Sequence, residues 1–166
     1  MARLQKITPC LWFDGQAEEA ATFYVSIFDN AEMGAVNRYG KEGFGIHGRP
    51  EGSVMTVTFR LDGQEFVALN GGPLFKFTEA VSLMVRCESQ AEIDRYWERL
   101  TEGGDPDAQQ CGWLKDKYGL SWQIVPAALS DMMKDPDRRK SERVMKALLP
   151  MKKLDLAALR RAYEGA

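Results

Sequence analysis

Twice along this chain a short apolar run leads through a turn into an amphipathic helix and then into further strand-like runs, an order that restricts it to a few mixed folds. The first run, Ile7 to Phe13, ends at Asp14-Gly15, a turn pair that also starts helices. Behind it Ala17, Ala20, Ala21, Tyr24, Ile27 and Phe28 recur at helical spacing opposite Glu18, Glu19, Thr22 and Ser26, which predicts a helix of about three turns. Asp29-Asn30 breaks it. Glu32 to Arg38 is then expected as a strand, and Gly40 to Gly52, which holds His47, as a mobile polar loop. Val54 to Leu61 and Glu65 to Asn70 are expected as a hairpin closed by Asp62-Gly63.

The second run, Ala80 to Cys87, precedes Ser89 and Glu92, a capping box, and a helix face of Ile93, Tyr96, Trp97 and Leu100 that stops at Gly103-Gly104. Strand-like pieces near Cys111 to Leu114 and from Leu120 to Val125 flank a turn at Asp116 to Gly119. The halves share pattern rather than letters. Beyond Pro126 strand signals cease, and Leu129, Met132 and Met133, then Val144, Leu148 and Leu149, then Leu156, Leu159 and Tyr163 mark short helices punctuated by Pro136 and Pro150. The 166 residues therefore divide into a first module (1–73), a second (74–126) and a helical tail (127–166) within one structural domain.

Charge and composition remove several functions. A net charge of -2 argues against a protein built to neutralise phosphates, so no nucleic-acid partner is expected. From Lys134 onward ten basic residues stand against five acidic ones, a locally basic tail expected to pack as a solvated face on an acidic body. No apolar run reaches signal-peptide or membrane-span length, which leaves the cytoplasm as the expected compartment and no membrane as partner. Cys10, Cys87 and Cys111 are odd in number and widely spaced, so reduced and mostly buried thiols are expected, without disulfides. His47 is the single histidine, and any mechanism requiring two is excluded.

Among individual residues, Asp14 is expected to cap the first helix, and Asn70 with Gly71-Gly72-Pro73 offers backbone N–H groups to an anion or simply makes a turn. Phe75, Phe77, Trp113 and Trp122 form a candidate aromatic wall, of which about two are expected to fill the core. Cys10 and Cys111 are candidate thiols without a neighbouring base, and Lys115 with Asp116 is expected as a local charged pair.

The segments LWFDGQAEEAATFYVSIF, LNGGPLFKFTEAVSLMV, ESQAEIDRYWERL and, most specifically, CGWLKDKYGLSWQIVP resemble the PhnB-like branch of the vicinal oxygen chelate superfamily, also called demethylubiquinone methyltransferase-like. The resemblance runs over roughly residues 5 to 165, tail included. It implies an α+β fold: two βαβββ modules whose strands curl into an incomplete barrel around a cavity, followed by the helical tail, commonly in a homodimer. Metal-using members draw ligands from the first and last strands of each module. Matching Phe23-Tyr24 to the family's helix puts Pro9 at the first such position, beside Cys10, and Val67, Ala68, Leu69, Ala80 and Ser82 near the next two. The turn Asp116-Lys117-Tyr118-Gly119 resembles the superfamily's D-P-D-G turn and puts Gln123 where a glutamate is usual.

One amide and one thiol do not make a divalent site, so no metal and no cofactor are expected. Leu74 stands where relatives often carry histidine, and no glycine-rich strand-loop-helix motif is present for S-adenosylmethionine. The expected function is binding of a small, partly apolar or aromatic molecule in the cavity, with Cys10, Trp12, Phe13, Asn70, Phe75, Cys111, Trp113, Trp122 and Gln123 as candidate lining. The alternatives are an enzyme of the superfamily (metal-dependent isomerase, lyase or dioxygenase, or a methyltransferase) and a structural or regulatory homodimer.

Overall fold

The computed structural model describes residues 4–166, which divide into two compact units at Lys76/Phe77. The first runs β1 (Cys10–Phe13), α1 (Ala17–Val25), β2 (Glu32–Arg38), α2 (Phe44–His47), β3 (Val54–Leu61), β4 (Gln64–Asn70). Its sheet has the order β1-β4-β3-β2, with β1 parallel to β4 and the other pairs antiparallel, which realises the βαβββ order read in the sequence. The hairpin forms because Asp62 and Gly63 both take positive φ, 49° and 75°, the turn whose twist matches that of the strands.

Helix α1 covers one face of this sheet. Ala17, Ala20 and Ala21 are fully buried, and their short side chains let the helix backbone lie close to the strands. Tyr24 stacks on Phe59 at 6.2 Å between ring centres and Phe59 on Phe66 at 5.4 Å, forming the centre of the unit's core. Asp14 does not cap α1, contrary to expectation: the cap position is Gln16, which makes no side-chain cap bond. The carboxamide of Asn70 substitutes from β4, its Oδ1 accepting the Ala17 N–H at 2.9 Å. The 40–52 loop is also more ordered than its composition suggests. It contains α2 between left-handed Gly43 and Gly48, the His47 ring lies 4.5 Å from that of Tyr39, and His47 Nδ1 accepts the Arg49 N–H at 2.9 Å.

The second unit runs β5 (Ser82–Cys87), α3 (Gln90–Thr101), a 3-10 turn (Pro106–Ala108), β6 (Trp113–Lys115), β7 (Ser121–Pro126), α4 (Ala128–Met133), α5 (Arg138–Leu148) and α6 (Leu156–Glu164). Its sheet, β5-β7-β6, repeats the parallel-then-antiparallel pairing of the first but has three strands, one fewer than a full βαβββ repeat implies. Where the fourth would run, Gly103 turns with φ 71° and Pro106 opens the 3-10 turn, neither compatible with a continuous ladder. Ser89 caps α3 as expected, accepting the Glu92 N–H, while the Glu92 carboxylate takes the N–H of Glu88, one residue before the cap.

The tail is bound into this unit through its backbone. Cys111 and Gly112 donate to the carbonyls of Met151 and Lys152 at 2.7 and 2.8 Å, and the Gln90 carboxamide donates to the Leu154 carbonyl while accepting the Leu156 N–H. Leu154, Leu159 and Val144 are fully buried. Arg143 forks onto the carbonyls of Ala162 and Tyr163 at 2.8 and 2.7 Å, a cation placed at the negative end of α6. Lys153 pairs with Asp94 of α3 at 2.6 Å, so one basic residue of the tail meets an acidic side chain of the body.

Candidate functional site

Strand alternation gives the first sheet a second face, opposite α1. Leu11, Phe13, Val57, Phe59, Leu61, Phe66 and Ala68 point into the core, which leaves Cys10 and Trp12 of β1, Thr56 and Thr58 of β3, and Val67 and Leu69 of β4 on the open side. At its β1 end the Trp12 indole donates to the Gly72 carbonyl at 2.9 Å and meets Phe75 edge-to-face at 4.9 Å. Gly71 makes this possible, because an added Cβ would lie 2.1 Å from Trp12 Cζ2. Phe75 is 59% exposed, a large aromatic offered to whatever approaches.

On the second sheet Gln123, Trp113 and Met84 share the face away from Trp122, Ile124 and Leu114. Gln123 Nε2 donates to Ser82 Oγ at 2.9 Å. The motif before it has a structural explanation. Asp116 is 2% exposed, and its carboxylate accepts the N–H groups of Tyr118 and Leu120 at 2.9 and 3.1 Å and the indole N–H of Trp122 at 2.8 Å. The charged turn therefore sets β7 in register rather than performing chemistry. It does not form the expected pair with Lys115, which binds Glu79 instead.

Several candidates are placed away from the open faces. Phe13 (3% exposed) and Trp122 (2%) are core residues, because odd positions of β1 and even positions of β7 face the helices. Asn70 is buried, holding α1 through Oδ1 and the Val54 carbonyl through Nδ2, so its side chain is a brace between strand and helix. Cys111 lies before β6 with φ 52°, its thiol donating to the Leu149 carbonyl at 3.2 Å, and therefore faces the tail. The thiols are less buried than expected: Cys87 is enclosed, Cys111 is half-buried and Cys10 is exposed. Burial pushes the Cys87 thiol up to about 12, with the Glu92 charge adding to the effect, and desolvation also raises Cys10.

Sequence reasoning missed Arg49. Its side chain is 22% exposed, its Nη1 lies 3.8 Å from Asp14 Oδ1, and its Nε is enclosed with no hydrogen-bond partner among the described residues. The signal available was weak, one arginine in a polar loop. Gln90, whose amide joins α3 to the tail, was also missed. A groove of about 470 Å³ beside it is lined by Asp94, Lys153, Asp155 and Arg160. Its opposite charges balance and the Gln90 amide is taken up by tail backbone and by Asp94, so it is the seam where the tail docks.

For a divalent metal, the chemistry of the donor set is a poor fit. Among the described residues no three His, Cys, Asp or Glu side chains converge on a point, and Gln123 and Ser82 are neutral groups, the Gln123 amide N–H donating to the Ser82 hydroxyl. Nor does any described helix have the length and apolarity to cross a membrane.

A four-stranded βαβββ sheet and a shorter βαββ repeat, each with one face uncovered by its helix, make the open two-sheet α+β architecture of the vicinal oxygen chelate superfamily. Within it the chain belongs to the family described as 3-demethylubiquinone-9 3-methyltransferase, whose model matches residues 5–125. A PhnB protein from Bacillus cereus, described as a putative member of that family, is 42% identical, superposes with a TM-score of 0.62, and is covered over 100% of its length by 74% of this chain. A protein from Pseudomonas aeruginosa (20% identity, TM-score 0.55, 74% of this chain and 98% of that one) shares the fold. So does the fosfomycin resistance protein FosX of Listeria monocytogenes, solved with Mn(II) and sulfate (16%, TM-score 0.52, 81% and 97%). Among curated proteins none matches. The family model's match ends before α4 and does not cover the tail, which the sequence reading included.

Proposed function

We propose that this PhnB-like protein binds a small, partly apolar or aromatic molecule against the open face of its first sheet, without a metal ion. The observation that carries this reading is the Trp12–Phe75 pair, two large rings held edge-to-face beside neutral Thr56, Thr58, Val67 and Leu69 on a face its own helix does not cover. Such a surface offers apolar contact and a few hydroxyls, and little to drive proton transfer: His47 is engaged in its own loop and Cys10 is kept protonated by desolvation. Thermal-shift screening of metabolite panels, followed by equilibrium dialysis, tests it. Binders whose affinity falls on Trp12→Leu support the reading, and a panel that shifts neither protein overturns it.

Assembly as a homodimer is a second reading, favoured by Val81 and Met84, which β5 and its approach leave 67% and 52% exposed. Two copies would bury them. Sedimentation equilibrium of the wild type and of Met84→Lys decides it: a dimer weakened by the lysine supports the reading, and a monomeric wild type refutes it.

A further inference from the structure

We propose that Arg49 is an anion receptor and that the molecule bound on the first sheet is a small organic acid, its carboxylate on the guanidinium and its apolar part on Trp12 and Phe75. This rests on the reading above that the Trp12 face binds a ligand. A guanidinium has five N–H donors. Among the described residues no acceptor takes a hydrogen bond from any of Arg49's: its Nε is closed off without an acceptor, and Asp14, at 3.8 Å, is beyond hydrogen-bonding range and itself 53% exposed. A largely desolvated charge in this state is costly to maintain unless an acceptor arrives.

The position suits a ligand that also touches Trp12. An added Cβ at Gly72 would lie 3.9 Å from Arg49 Nη1, and the carbonyl of the same Gly72 takes the Trp12 indole N–H, so guanidinium and indole meet at one residue. Gly15, where a Cβ would stand 3.6 Å from Nη2, leaves the other side narrow but unfilled. A planar carboxylate matches the guanidinium fork with two parallel bonds. It meets the exposed Nη edge first, and a small shift of residues 48–52 brings Nε–H into the second bond. Gly48 and Gly52, at φ 64° and 83°, have open space around them to permit this.

Calorimetric titration of the full chain with benzoate and with its neutral isostere benzamide tests the proposal. Benzoate is expected to bind at least about tenfold more tightly than benzamide. Arg49→Gln is expected to abolish that preference while leaving benzamide unchanged. Asp14→Asn removes the competing carboxylate and is expected to tighten benzoate binding by about threefold or more without disturbing the core. Equal binding of the two ligands by the wild type, or benzoate affinity unmoved by Asp14→Asn, overturns the anion site while the apolar reading stands. Failure of both to bind overturns both.

Discussion

Replacing Asp116 with asparagine changes one atom of a buried turn from acceptor to donor, and the effect depends on Trp122. In the native turn Oδ1 serves the Tyr118 and Leu120 N–H groups, and Oδ2 serves the Trp122 indole at 2.8 Å. Asparagine keeps its oxygen on the two backbone donors, since flipping would sacrifice both. Its NH2 then faces the indole N–H, and a buried donor loses its acceptor, at a cost of about 1–3 kcal/mol plus the loss of a charge-assisted bond. With Trp122→Phe in place there is no indole donor to oppose, so the same Asp116→Asn change should cost about 1–3 kcal/mol less. Urea unfolding of the four proteins in this cycle, followed by circular dichroism, measures the difference, with unchanged m values as the check that the transition has kept its character. Additivity within about 0.5 kcal/mol would refute the assignment of Asp116 as the acceptor that holds Trp122.

The remaining predictions concern packing, the thiols and the tail. Gly104→Ala should destabilise by about 3 kcal/mol or more, because its Cβ would fall 2.2 Å from the Lys115 carbonyl oxygen, whereas Gly40→Ala, with nothing within 4 Å, should be near neutral in the same unfolding assay. Under native conditions a thiol reagent should label Cys10 first and Cys87 last, as peptide mapping would show. The fold holds Cys87 neutral up to about 12 against an ordinary 9.0, so its contribution to stability is complete below pH 9 and lost as pH rises from there towards 12. Cys87→Ala should remove that alkaline component from the pH dependence of the urea midpoint. Gln90→Leu deletes both bonds to the tail and should cost about 1–3 kcal/mol, with limited proteolysis now cutting between residues 149 and 155; unaltered cleavage would show that the latch is dispensable.

Much of this architecture could be read before the structure because local chemistry and global fold agree. Asp62-Gly63 permits little but a tight hairpin, and the alanines of α1 mark the face that lies on the sheet. Ser89 and Glu92 start α3 where the spacing predicts. What escaped was set by long-range contacts. Asp14 has the right identity and place for a cap, but Asn70, 53 residues beyond Ala17, reaches the Ala17 N–H. The Asp116 turn looked like a surface charge pair because sequence cannot show that an indole six residues away encloses it. Phe13 and Trp122 could be counted among aromatics but assigned to a face only once strand register was known. Arg49 carries no local pattern at all, since its distinction is an enclosed Nε that finds no hydrogen-bond acceptor among the described residues.

The way the tail is fastened bears on the order in which the chain can fold as it leaves the ribosome. Every strand pairing of the first sheet lies within residues 10–70, so that unit has all its partners while more than half the chain is still to be made. The second unit must wait. Gln90 finds its backbone partners 64 and 66 residues later, and the thiol of Cys111 finds its acceptor 38 residues later. Until residues 149 to 156 are synthesised those groups lack their partners in the tail, and closing such distant contacts is the slow part of folding. A stop codon placed at the family boundary would therefore spare the first unit and leave the second waiting for a strand of backbone that never arrives.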